Sequence, residues 1–199
     1  LEVSSDVYFY MLGRDMNGTR QLQNWAGDFG FGRATGIDIP GESEGLVPSP
    51  KWVNQAHKEE PKYYDPWAIG QNIQFAIGQG YFQASPLQLA TAYAALGNGG
   101  TVLQPQLMLQ TEDAAGRVKS EAEPVVTGEI PIDPAARQVI MDGLHDAAQA
   151  PEGTSYKVFG GFPVKVAGKT GTAERTDEID QAWYAVLAPY PDPEIAVVV

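Results

Sequence analysis

The sequence contains no cysteine. That excludes disulfides, thiolate catalysis and cysteine-ligated zinc. Histidine is scarce: His57 and His145 are the only two, far apart, and neither has a His or Cys partner at metal-ligand spacing. Both read as surface residues, and no metal or organic cofactor is implied. Cations are outnumbered, with 13 Lys and Arg against 25 Asp and Glu and a formal net charge of −12. So acidic a chain repels nucleic acid and anionic lipid on average, although a local basic site can still exist inside it. No apolar run approaches the ~20 residues of a membrane span, and no signal peptide is present. The sequence opens on Leu1-Glu2-Val3 without Met and stops within the apolar run Ile195 to Val199, so both ends are expected to be cut.

What remains is the composition of an ordinary globular domain. The chain has 199 residues, 43% hydrophobic and 19% charged. A chain of that length buries roughly 70% of its surface on folding. Twenty-two Gly and 15 Pro call for many turns, and the 10% of aromatic residues spread along the chain argue against disorder.

Residues 3–12 fit a buried helix or a strand, and periodicity does not decide between them. Residues 18–29 read as a helix with Leu22, Trp25, Ala26 and Phe29 on one face. Residues 37–67, rich in Pro, Gly and charge, read as a long irregular excursion. Ser85-Pro86 opens the clearest helix, with Ser85 as cap, Pro86 at the first helical position, and Leu87, Leu89, Ala90, Tyr93, Ala94 and Leu96 expected inward. Thr101 to Leu109 reads as a strand broken by Pro105, and 111–131 as a surface loop or hairpin. Asp133-Pro134 opens another helix, and 150–161 forms a Gly-rich loop. Val164 to Ala167 leads as a strand into Gly168 to Thr172, and 182–188 and 195–199 are two further strands. Long helices followed by a terminal cluster of strands predict an α+β fold with an antiparallel sheet.

Three segments carry candidate chemistry. Lys169-Thr170-Gly171-Thr172 places a cation, two hydroxyls and a glycine on a strand. Gly is disfavoured inside strands unless something approaches the backbone closely, so the set suits an anion lying along a strand edge. Taken alone, a Lys and Thr on a solvated strand face explain it as well. Ser4-Ser5-Asp6 precedes the aromatic run Tyr8-Phe9-Tyr10 and in isolation is a common helix cap. Ile77-Gly78-Gln79-Gly80, followed by Ala84 to Ala90, reads as a tight turn leading into a capped core helix.

In their order and spacing, Ser-x-Asp, then G-Q-G with A-S-P-L-Q-L-A, then G-K-T-G-T-A-E together resemble the penicillin-binding proteins. Serine acyltransferases of that group carry S-x-x-K, S-D-N and K-T-G. The longer context looks like the class B transpeptidases, and Ser4 to Tyr10 with Gly36-Ile37-Asp38 looks most like their elongation-specific member. The resemblance runs from about Ser4 to the last residue, so 1–199 is expected to be the C-terminal portion of one β-lactamase/transpeptidase-like domain.

The resemblance implies roles. Ser4 would relay protons between two lysines, Asp6 would orient the site and contact substrate amide, and Lys169 would keep the field positive. Thr170 and Thr172 would bind the carboxylate of a donor peptide or β-lactam. The Thr172 N–H would serve the oxyanion hole, and Gly171 would leave room for the acyl group. The implied parent is a D,D-transpeptidase that cross-links peptidoglycan stem peptides and is acylated by β-lactams. It would be anchored in the cytoplasmic membrane with this domain outside, beside a membrane glycosyltransferase. A non-catalytic sensor or scaffold, and a serine β-lactamase or D,D-carboxypeptidase, are the rival readings.

The nucleophile motif is the departure. Three positions before the seven lysines stand Pro48, Gln55, Glu59, Gly116, Thr154, Phe162 and Val166, none of them Ser. Thr154-Ser155-Tyr156-Lys157 is the nearest imitation. A fragment is therefore expected, with Ser4 beside Lys169 and with apolar residues of the Pro86–Leu96 helix more exposed than in a complete domain.

Overall fold

The computed structural model describes residues 1–174 and 179–199. Its helices are α1 (Asp6–Asp15), α2 (Gln21–Asp28), α3 (Pro50–Glu59), α4 (Ile69–Ala76), α5 (Pro86–Gly97), α6 (Pro134–Gln149) and the single turn α7 (Tyr156–Phe159). The strands are β1 (Thr101–Leu103), β2 (Gln110–Glu112), β3 (Val118–Glu121), β4 (Val126–Glu129), β5 (Ala167–Ala173), β6 (Gln181–Ala188) and β7 (Ile195–Val198). They pair antiparallel as β1-β4, β2-β3 and β5-β6-β7.

The ambiguous opening segment is a helix. The excursion over 37–67 contains α3, which sequence reading missed among the prolines. Its start has an identifiable cause: the Ser49 hydroxyl accepts from the Trp52 N–H at 3.2 Å, with Pro50 at the first helical position. The strand expected over 101–109 stops at Leu103, because Pro105 cannot donate to a ladder. Beyond it Leu107, Met108 and Leu109 are exposed. The polar stretch after it is a hairpin, β2-β3, followed by β4, which returns to pair with β1.

The helix at Pro86 forms as expected, with Ser85 and Gln88 capping each other reciprocally. Its buried residues differ from the expected set. Gln88, Ala92, Ala95, Leu96 and Gly97 are buried, whereas Leu87, Leu89, Ala90, Tyr93 and Ala94 are half-buried. Gln88 is inside because its carboxamide donates to the carbonyls of Arg33 and Glu44, both at 2.8 Å, and so ties the segment 30–46 to α5.

The largest core joins α5 and α6 to one face of the three-stranded sheet through Leu96, Met141, Leu144, Ala167 and Leu187. Arg137 of α6 donates to the carbonyls of Leu96 (2.7 Å) and Gly97, capping the C-terminus of α5 with a cation. A second contact sets the geometry of the site. Gly13 of α1 lies directly on α4, where a Cβ would come within 2.8 Å of the Ile73 Cα and 2.9 Å of the Ala76 Cβ. Asn72, buried in α4, donates to the Gly13 carbonyl at 2.6 Å and accepts from Gln23 at 3.2 Å.

Among the described residues the exposed large apolar side chains lie off α5, contrary to expectation, with Ile179, Leu109, Val199 and Val139 the most open. Val7, Tyr8 and Met11 of α1, and Ile195, Val197 and Val199 at the sheet edge, are all open to solvent. The histidines are half-buried, not on the surface. His57 Nδ1 meets the Tyr64 carbonyl at 2.5 Å, and His145 Nδ1 meets that of Val166 at 2.9 Å. Among the described residues no group of side chains could hold a metal ion, and no helix is long and apolar enough to cross a membrane.

Candidate active site

Among the described residues β5 is an edge strand, paired with β6 on one side only. Its register sets which groups it offers. Tyr184, opposite Thr170, exchanges both backbone hydrogen bonds with Val199 (2.9 and 3.0 Å) and so faces away from β5. Thr170 therefore belongs to a non-hydrogen-bonded pair, and its N–H and C=O point to the free edge, as do those of Thr172 two residues on. By the same alternation the Thr170 and Thr172 side chains share one sheet face, and Lys169 lies on the other.

An open cleft of 1480 Å³ lies along this edge. Ser4, Asp6, Gln79, Lys169, Thr170, Gly171 and Thr172 all line it. The six residues expected to form a site are thus brought together from two ends of the chain. No hydrogen bond joins Ser4 to Lys169 among the described residues; what links the two motifs is charge. Burial holds the Lys169 ammonium below the usual lysine range, and the Asp6 carboxylate opposes that shift. Lys169 Nζ donates to the Thr170 carbonyl at 2.9 Å and to the Thr170 hydroxyl at 3.3 Å.

Ser4 does not serve as a helix cap. Ser5 occupies the capping position and its side chain makes no cap hydrogen bond, while Ser4 precedes it in the left-handed region at φ 52°. A non-glycine residue held there costs on the order of 1–3 kcal/mol, and such strain clusters at functional sites. The glycines of β5 differ in kind. At Gly168 a Cβ would lie 2.5 Å from the Tyr184 hydroxyl oxygen, so packing demands glycine there. At Gly171 a Cβ would meet only the Trp183 Cβ at 3.5 Å, an ordinary contact. Internal packing therefore does not require Gly171 to be small.

Three supporting residues escaped sequence reading. Gln79, in a turn with Gly78 and Gly80 at φ 75° and 74°, donates its carboxamide to the Thr172 carbonyl at 3.2 Å. Gly13 and Asn72 fix α1, and with it Ser4 and Asp6, against the helix that leads into that turn. The G-Q-G spacing was visible as a turn; nothing in the sequence said what the glutamine side chain reaches.

An α+β domain whose Lys-Thr-Gly-Thr edge strand faces a Ser-x-Asp turn across a cleft has the layout of the penicillin-recognising serine enzymes. Residues 1–199 match the family described as penicillin binding protein transpeptidase domain, and the chain belongs to that family. The peptidoglycan D,D-transpeptidase MrdA of Haemophilus influenzae is 35% identical over 212 residues, covering 98% of this chain and 31% of the relative. The crystal structure of Pseudomonas aeruginosa PBP2 in complex with WCK 5153 superimposes with a TM-score of 0.79 at 33% identity, over 98% of this chain and 41% of that one. A structure described as coordinating polymerization and crosslinking by a peptidoglycan synthase complex matches with a TM-score of 0.77 at 30% identity, over 99% of this chain and 32% of that one. The transpeptidase fold expected from the motifs is thus present. The chain spans about a third of the length of the curated relative it matches.

Proposed function

We propose that this chain forms the second and third motif walls of a serine D,D-transpeptidase active site, in a class B penicillin-binding protein of the elongation type. The observation that carries the reading is the meeting of Ser4, Asp6, Lys169, Thr170, Gly171 and Thr172 in one cleft. With no Ser three positions before any lysine here, the nucleophile comes from outside these 199 residues, and 1–199 is the C-terminal portion of the domain.

In the parent protein the nucleophilic serine attacks the carbonyl of the penultimate D-Ala. Its proton passes to a base, the C–N bond breaks, and the terminal D-Ala leaves with a proton on its amine. An amine of a neighbouring stem peptide then attacks the ester, forming the cross-link and releasing the serine. Lys169 supplies positive potential for the donor carboxylate, which the Thr170 and Thr172 hydroxyls bind. Ser4 relays protons and Asp6 orients the substrate. The Thr172 N–H on the free edge stabilises the oxyanion, and a β-lactam traps the acyl-enzyme. A cytoplasmic-membrane anchor and a glycan-polymerising glycosyltransferase partner belong to the same proposal, supported by the synthase complex among the neighbours.

The test is the full-length protein, incubated with labelled penicillin and separately with donor and acceptor stem peptides. The expected result is a stoichiometric acyl adduct on the serine of a Ser-x-x-Lys, and cross-linked peptide product. Catalytic hydrolysis of the penicillin would indicate a β-lactamase instead, and no adduct at all would indicate a scaffold.

A further inference from the structure

The imitation nucleophile motif runs from Thr154 in the turn after α6 to Lys157 in α7; it has Thr154 where the motif has Ser, and its one serine, Ser155, is 5% exposed. Its hydroxyl lies 3.1 Å from both the Ala147 carbonyl and the Tyr184 hydroxyl, and its N–H donates to Ala147 at 3.0 Å. On the other side of Thr154, a Cβ at Gly153 would lie 2.3 Å from the Asp146 carbonyl oxygen. The turn is thus locked onto the end of α6 on both sides of Thr154.

From this fixed turn the exposed Thr154 Oγ1 accepts from the Thr170 hydroxyl at 3.1 Å, while Thr170 Oγ1 itself accepts from Lys169 Nζ at 3.3 Å. A threonine hydroxyl has one proton and two lone pairs. Lys169 uses one lone pair of Thr170. In the structure Thr170 spends its proton on Thr154 and has none for an anion. If Thr154 donates instead, the Thr170 proton is free on the sheet face it shares with Thr172.

We propose that Thr154 is a positioning residue of the carboxylate subsite: on ligand arrival its hydroxyl donates to Thr170 and turns the Thr170 proton toward the ligand carboxylate. The inference rests on the functional reading above and adds a residue outside the three motifs. Hydrogen bonds in such a chain polarise one another, so the Thr170 contact to the anion strengthens.

The experiment uses the full-length protein with Thr154→Val, which removes the hydroxyl and keeps the shape, and Thr154→Ser, which keeps the hydroxyl. The probes are benzylpenicillin and its methyl ester, with acylation followed by intact mass. Thr154→Val is expected to slow acylation by benzylpenicillin about 3- to 10-fold, the size of one hydrogen bond. The ester rate should stay unchanged, and Thr154→Ser should restore the acid rate. No loss with Val, an equal loss for acid and ester, or failure of Ser to restore the rate would overturn the role of Thr154 alone. A wild-type protein that benzylpenicillin does not acylate would overturn the functional reading itself.

Discussion

Gln79 and Thr172 stand 93 positions apart in the chain, and the carboxamide of the first donates to the carbonyl of the second across the cleft at 3.2 Å. The bond joins the helical side of the site to the edge strand β5, whose residues are proposed to bind the donor carboxylate. It restrains the backbone of Thr172, the residue whose N–H is proposed to stabilise the oxyanion. In the full-length protein Gln79→Ala should therefore slow β-lactam acylation about 3- to 10-fold, in keeping with one hydrogen bond. Gln79→Glu should slow it further, because a carboxylate cannot donate and repels the carbonyl. Stopped-flow acylation rates check this, and wild-type rates in both variants would remove Gln79 from the site.

Lys169 gives a prediction of rate and one of pH. Losing a charge aimed at the developing anion costs about 10²-fold or more in acylation, so Lys169→Ala in the folded full-length protein should fall by at least that. Because burial lowers the Lys169 pKa, its charge is lost at a lower pH than a free lysine would lose it. Asp6 favours the ammonium. Asp6→Asn should lower the pKa further and move the basic limb of the acylation profile to lower pH. A limb that stays in place, whatever the plateau rate, would uncouple the two residues.

Two glycines of one strand should fail differently. Gly168→Ala forces a Cβ against the Tyr184 hydroxyl, and overpacking of this kind costs roughly 1–3 kcal/mol. Gly171→Ala meets only an ordinary contact and should leave the melting temperature near wild type while acylation falls. Thermal melts and acylation rates on both variants decide it. A destabilised Gly171→Ala with normal chemistry would mean that the glycine serves the fold.

These 199 residues on their own should form no covalent adduct with a labelled penicillin, since no serine in them precedes a lysine by three. Intact mass after incubation is the check. A stoichiometric acyl adduct would place the nucleophile inside this chain.

The legible parts of the sequence were those where local chemistry decides. Ser85-Pro86 and Asp133-Pro134 announce helix starts through a side-chain acceptor and a missing donor, and both caps form. Lys169 to Thr172 announces its strand, and β5 contains all of it. The supporting contacts were not legible, because each depends on a partner dozens of residues away. Asn72 is one polar residue in a helical run until Gly13 and Gln23 come within reach of it. Gln88 was not among the residues of α5 expected inward, yet it is buried because the 30–46 segment brings two carbonyls to it. Thr154 was conspicuous only as part of a false motif, and its contact with Thr170 follows from the turn after α6.

Gly13 offers the sharpest separation of fold from site, since it lies in neither a motif nor the cleft. The backbones of α1 and α4 approach there so closely that a methyl group would sit under 3 Å from the Ile73 Cα, the Ala76 Cβ and the Asn72 carbonyl oxygen. Two of those are backbone atoms, so the clash cannot be relieved by a rotamer change. Gly13→Ala must lift α1 from α4 or strain both, at roughly 1–3 kcal/mol. Lifting α1 carries Asp6, at its first turn, and Ser4 just before it away from Lys169. The variant in the full-length protein should melt lower and acylate more slowly. Because the displaced carboxylate would favour the Lys169 ammonium less, the basic limb should shift in the same direction as in Asp6→Asn. Measuring the melt, the rate and the pH profile together tests the coupling. A lower melting temperature with an unmoved profile would show that α1 can shift without disturbing the site.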